Sequence, residues 1–78
     1  MVKSNDNTSY KRGQELLDQG MYREAIAQFD AAIVEQPDSW KSLNSKGFAF
    51  QKLSRYTEAV ECFDRALQIN PNSVEVLK

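Results

Sequence analysis

Two stretches of the chain carry the same hydrophobic pattern. Ala25, Ile26, Phe29, Ala32 and Ile33 fall at i, i+1, i+4, i+7 and i+8, and so do Ala59, Val60, Phe63, Ala66 and Leu67. Five apolar residues so spaced occupy one stripe of an α-helix. Arg23, Glu24 and Asp30 in the first stretch, and Glu58, Glu61, Asp64 and Arg65 in the second, give each helix a solvated opposite face. A shorter pattern precedes each: Gly13, Leu16 and Leu17, then Leu43, Gly47, Phe50 and Leu53, at i, i+3 or i+4. The periodicity predicts an all-α chain with helices over 8–19, 23–35, 40–53 and 57–69.

The two halves are copies. At a shift of 34, Gly13, Tyr22, Glu24, Ala25, Phe29, Asp30, Ala32, Pro37 and Ser39 fall on Gly47, Tyr56, Glu58, Ala59, Phe63, Asp64, Ala66, Pro71 and Ser73. Chance supplies roughly two or three identities in so short an overlap, and periods of about 20–50 residues mark solenoids. Pro37-Asp38-Ser39 and Pro71-Asn72-Ser73 stop one helix, because the residue before a proline avoids the α region. Their serines then offer a side-chain oxygen to cap the next helix. Gly20 suits the turn between the first two helices; Leu53-Ser54-Arg55 takes its place in the second unit and is expected to be less relaxed. Gly13, Ala25, Ala32, Gly47, Ala59 and Ala66 are small where two helices approach closely.

These residues resemble the tetratricopeptide repeat, whose pattern is W-x2-L-G-x2-Y, then A-x3-F, A and P over 34 residues. The second unit supplies Leu43, Gly47, Phe50, Tyr56, Ala59, Phe63, Ala66 and Pro71; the first supplies Gly13, Leu16, Tyr22, Ala25, Phe29, Ala32 and Pro37. Ser9 stands where a large apolar residue is usual, and Arg12 and Lys46 stand where the family has leucine. Trp40 lies three residues ahead of the family's tryptophan position and reads as a packing residue at the joint between units.

The resemblance implies a right-handed superhelix of antiparallel helix pairs, with repeat one over 8–39, repeat two over 40–73 and the start of a third over 74–78. Residues 1–7 form a disordered lead-in on this reading. It implies a protein-binding module whose first helices line a concave groove for a peptide or a partner helix. The groove would be built from Tyr10, Gln14, Leu17 and Asp18, and from Lys41, Asn44, Phe48, Gln51 and Lys52. Tyr10, Leu17 and Phe48 are the informative residues of this face, none in the core stripe of its helix, and the aromatic anchors Tyr10 and Phe48 are expected to be solvent-accessible. One subset of the family grips chaperone C-terminal carboxylates with lysine and asparagine. The matching positions here hold Tyr10, Gln14, Ser45 and Glu75, without the cations such a grip needs.

A self-assembly module is the alternative. Val60, Phe63, Leu67, Val74 and Leu77 would form an uncapped apolar face, covered by a longer parent chain, by a second copy or by an exchanged helix.

Composition narrows the function classes. The 78 residues are 41% hydrophobic and 27% charged, ordinary for a soluble globular chain. Ten basic against eleven acidic residues give a net charge of -1, without the basic stripe of a nucleic-acid binder. Asp18 on one side and Lys41 and Lys52 on the other leave the groove without a charge preference. An RNA-reading helical repeat fits less well for the same reason. No membrane partner or signal peptide is indicated. Cys62 has no second cysteine to pair with, which fits a reducing, cytoplasmic setting. With no histidine, Cys62 lacks an imidazole to activate it and reads as a core filler. Glu58 and Glu61 read as a solvated face, and the three glycines are scattered rather than gathered in a phosphate loop. No enzyme, cofactor or metal is expected.

Overall fold

A computed structural model describes residues 8–72 of the chain. The proposed lead-in over 1–7 and the third-unit start over 74–78 lie outside the described residues, as do Ser73, Val74, Glu75 and Leu77. Four helices follow one another: α1 Thr8–Asp18, α2 Tyr22–Glu35, α3 Trp40–Lys52 and α4 Tyr56–Ile69. Their bounds depart from the sequence expectation by a residue. α1 packs on α2, α2 on α3 and α3 on α4, and among the described residues only α1 and α3 also touch across an intervening helix. The chain is therefore layered along its own sequence.

Each pair is fastened by a phenylalanine laid on a glycine. A methyl group added at Gly13 would come within 2.5 Å of Phe29 Cε1, and one added at Gly47 within 2.8 Å of Phe63 Cε1. The rings thus occupy space that any larger residue would claim. Phe29 is 0% exposed, with Tyr10 tilted against it at 6.0 Å between ring centroids. Full burial of such a side chain stabilises by about 1.5–3 kcal/mol. Ala25 and Ala32 of α2 and Leu43 and Ala49 of α3 are also buried; Ala59, Cys62 and Ala66 form the buried strip of α4.

That last strip corrects the sequence pattern. Val60, counted in the apolar stripe of α4, is 54% exposed, while Cys62 is buried and Phe63 only half-buried. Phe29 is enclosed because α3 covers the first pair; among the described residues no helix does the same for Phe63. Burial pushes the Cys62 thiol above its ordinary value, against the nearby positive charge of Lys46, which pulls it down.

The two turns within pairs repeat one hydrogen-bond scheme. Gly20 N–H donates to Leu17 O at 3.0 Å and Met21 N–H to Leu16 O at 2.8 Å; Ser54 N–H donates to Gln51 O at 3.0 Å and Arg55 N–H to Phe50 O at 2.8 Å. This is the Schellman arrangement, which needs a left-handed residue just past the helix end. Gly20 adopts it at φ 81° without penalty, and Ser54 adopts it at φ 63° despite its Cβ. The expected strain in the second turn is therefore located at one residue. Arg55 also reaches Glu58 in the first turn of α4 with two hydrogen bonds, of 3.1 and 2.6 Å.

Between pairs, Gln36 and Asn70 precede the two prolines and leave the α region at nearly the same angles, φ -137° for both. Ser39 does stand at the N-cap of α3, but its hydroxyl does not cap the backbone. It donates instead to Ser42 Oγ at 2.8 Å, inside a site where Ser42 is fully buried. The buried hydroxyl of Ser42 needs a partner and competes for the cap. Lys46, at a leucine position of the repeat pattern, joins the pairs by an ion pair to Asp30 at 2.6 Å.

Gly13→Ala adds helix propensity of about 1 kcal/mol but overpacks a ring that has nowhere to go, which costs about 1–3 kcal/mol. Urea unfolding should show a net loss for Gly13→Ala, and a clearly smaller one for Gly47→Ala, where half-buried Phe63 can swing outward. Cys62 should be alkylated at pH 8 at least about tenfold more slowly in the folded chain than in urea. Because its thiol holds its proton longer when folded, the Cys62 contribution to stability should fall as pH rises through the ordinary thiol range, about 8.5; a titration of urea midpoints against pH, compared with Cys62→Ala, measures it.

Candidate partner-binding groove

α1 and α3 lie side by side and leave a cleft of about 360 Å³ between them. Helical periodicity builds both walls. Tyr10, Gln14 and Leu17, at i, i+4 and i+7, supply one; Trp40, Lys41, Asn44, Ser45 and Phe48, at i, i+1, i+4, i+5 and i+8, supply the other. Tyr10, Gln14, Leu17, Lys41, Asn44 and Phe48 thus line one cleft. Gln51 and Lys52 are exposed beyond the cleft and do not line it, and neither does Asp18.

The walls are tied by one side chain. Gln14 Nε2 donates to Tyr10 Oη at 2.9 Å within α1 and to Ser45 Oγ at 2.7 Å on α3. Tyr10 is therefore not the free anchor the sequence suggested. Its ring is half-buried against Phe29, and its hydroxyl is engaged by Gln14. Leu17 is half-buried as well, whereas Phe48 is 39% exposed. Trp40, read from sequence as a joint residue, stands in the cleft wall; its place one and two helical turns ahead of Asn44 and Phe48 was the signal for this.

Asn44 is also different from expectation. It lines the cleft yet is only 7% exposed, and among the described residues its carboxamide has no hydrogen-bond partner. A buried polar group left without one costs about 1–3 kcal/mol.

Two lysines lie over aromatic rings of the α3 wall. Lys41 Nζ lies over the Trp40 ring at 5.7 Å, and Lys52 Nζ over Phe48 at 5.2 Å. A second hollow of about 170 Å³ beside the cleft is lined by Tyr10, Lys11, Ser39 and Lys41. No carboxylate lines either space among the described residues.

On the far side of α4, Val60 is exposed, and Phe63 and Leu67 are half-buried. Phe63 belongs in part to the packing of its own pair, because it rests on Gly47. Glu58 is held by Arg55. Among the described residues no three His, Cys, Asp or Glu gather as metal ligands, and no helix is long and apolar enough to cross a membrane.

Comparison with known proteins assigns the architecture. The tetratricopeptide repeat profile matches residues 10–74. The chain is 33% identical over 60 residues to a tetratricopeptide repeat and J domain-containing co-chaperone of Fusarium oxysporum, and 31% identical over 64 residues to human superkiller complex protein 3. These alignments cover 77% and 82% of this chain but only 12% and 4% of those relatives. An uncharacterized protein of Methanocaldococcus jannaschii is 38% identical over 63 residues, 77% of this chain and 70% of its own length. The profile match takes in α2, α3 and α4 whole and most of α1, and the chain belongs to the tetratricopeptide repeat family.

Proposed function

We propose that the chain is a protein-binding module that holds a peptide or partner helix in the groove between α1 and α3. The observation that carries this is the cleft itself. Its mouth presents Phe48, 39% exposed, beside Trp40. Aromatic side chains held open on a rigid helix face are the usual anchors of a protein interface. Membership of the tetratricopeptide repeat family, and relatives named for a co-chaperone and for a complex, support a protein partner.

The reading excludes the chaperone carboxylate grip. Gln14 and Ser45, at two of that grip's positions, are bonded to each other, and Tyr10 holds a third. It also leaves out catalysis: the chain has no histidine, and burial pushes the Cys62 thiol above its ordinary value. A cytoplasmic setting, with neither nucleic acid nor membrane as partner, belongs to the same proposal.

A second reading, self-association through the α4 face, is favoured by Val60, whose side chain is 54% exposed beside half-buried Phe63 and Leu67. Apolar patches of this kind mark interaction surfaces.

Peptides selected from a displayed random library on the immobilised chain should bind Phe48→Ala at least about tenfold more weakly, with helicity unchanged by circular dichroism. Selected peptides indifferent to Phe48→Ala would move the binding surface elsewhere. Light scattering across concentration tests the second reading: a mass that climbs in the parent chain and stays at one protomer in Leu67→Glu supports it, and equal behaviour of the two removes it.

A further inference from the structure

We infer that the open face of α4 takes the α1 face of a second copy, head to tail, with Arg12 of the second copy paired to Asp64. The inference rests on the self-association reading above and names the surface that the α4 face meets.

The chain carries its own example of such a joint. α3 packs on α2 between the two pairs, and Lys46 of α3 meets Asp30 of α2 at 2.6 Å. At the shift of 34 residues that aligns the two units, Asp30 falls on Asp64 and Lys46 on Arg12. The carboxylate of the joint is therefore repeated on α4, and its cation on α1. Arg12 and Asp64 are both exposed, and among the described residues neither has an ion-pair partner. Unpaired charge alone would not single them out, since among the described residues Arg23 and Arg65 have no ion pair either. What sets Arg12 and Asp64 apart is that they stand at the two halves of a joint the chain already makes once.

The apolar residues agree with this placement. Ile26, Asp30 and Ile33, at i, i+4 and i+7, share one side of α2, and Val60, Asp64 and Leu67 share the same side of α4. Ile26 is half-buried and Phe29 fully buried, whereas their counterparts Val60 and Phe63 are 54% exposed and half-buried. A helix laid on α4 as α3 lies on α2 covers more of both and brings a cation to Asp64.

Charge also decides the direction of the contact. An isologous dimer sets one patch against itself. The stripe of Val60, Phe63 and Leu67 is centred beside Asp64, so α4 facing α4 about a two-fold axis brings two Asp64 carboxylates together. Like charges set against each other suppress that pairing. Head to tail, Asp64 meets a guanidinium, which can hold a carboxylate with two parallel hydrogen bonds. The α1 face is more polar than its counterpart on α3, because Ser9 takes the place of buried Leu43 and Glu15 that of buried Ala49. The contact is therefore wetter than the α2–α3 joint, and the assembly weak and reversible.

The test is sedimentation equilibrium of the full chain at low salt and rising concentration. The average mass should climb past two protomers, because a head-to-tail contact leaves a free face at each end. Arg12→Glu and Asp64→Arg, both exposed changes, should each weaken association at least about tenfold with helicity kept. An equimolar mixture of the two variants should regain the association of the parent, because each then offers the charge that the other needs. That regain rules out misfolding as the cause of the loss. A mass that stops at two protomers overturns the inference, as does Arg12→Glu associating like the parent or a mixture that stays at one protomer. Where Leu67→Glu abolishes an association that Arg12→Glu leaves intact, self-association through α4 stands and this inference falls. A parent chain that stays at one protomer throughout removes both.

Discussion

Everything in this chain is spaced from a ring lying on bare backbone. Phe29 against Gly13 and Phe63 against Gly47 set how closely the two helices of a pair approach, because neither glycine has an atom to hold the ring away. Once that distance is fixed, the small residues Ala25, Ala32, Ala59 and Ala66 fit beneath the partner helix, and larger ones would not. The position of α1 relative to α3, and with it the cleft, follows from the first of these contacts and from the packing of α2 on α3.

The groove is built on that frame with very few polar commitments. Gln14 spends one amide donor on Tyr10 within α1 and one across the cleft on Ser45, which ties the two walls. Asn44, one position before Ser45, makes no such bond among the described residues, and the lysines rest on rings rather than on acids. A wall whose shape is settled by packing and whose polar groups stay uncommitted loses little in meeting a ligand.

The helices were legible because local signals agree with one another. The stripes of α2 and α4, Pro37 and Pro71, and the 34-residue recurrence all point to the same bounds, and long periodic segments override weak propensities. The groove residues on α1 and α3 were legible for the same reason, since spacing alone puts Tyr10, Gln14 and Leu17 on one face. What escaped were relations between helices. No local pattern shows that the Tyr10 ring turns toward Phe29, that Asn44 sinks into the wall, or that Lys46 meets Asp30 across a joint. The burial of Cys62 ahead of Phe63 and the bond from Ser39 to Ser42 escaped too, because each depends on what the neighbouring helix covers.

The paired turns show how a structural repeat outlasts its spelling. Gly20 and Ser54 share no side chain, yet each bends the backbone to the left and closes the same two hydrogen bonds. The geometry shared between the halves is a left-handed φ closed by two hydrogen bonds, and the amino acid that supplies it is a local choice whose cost stays within one residue. Tandem arrays of this kind can therefore diverge in letters at their bends while their helices keep the same stacking, so that resemblance read from identities understates how alike two units are in shape.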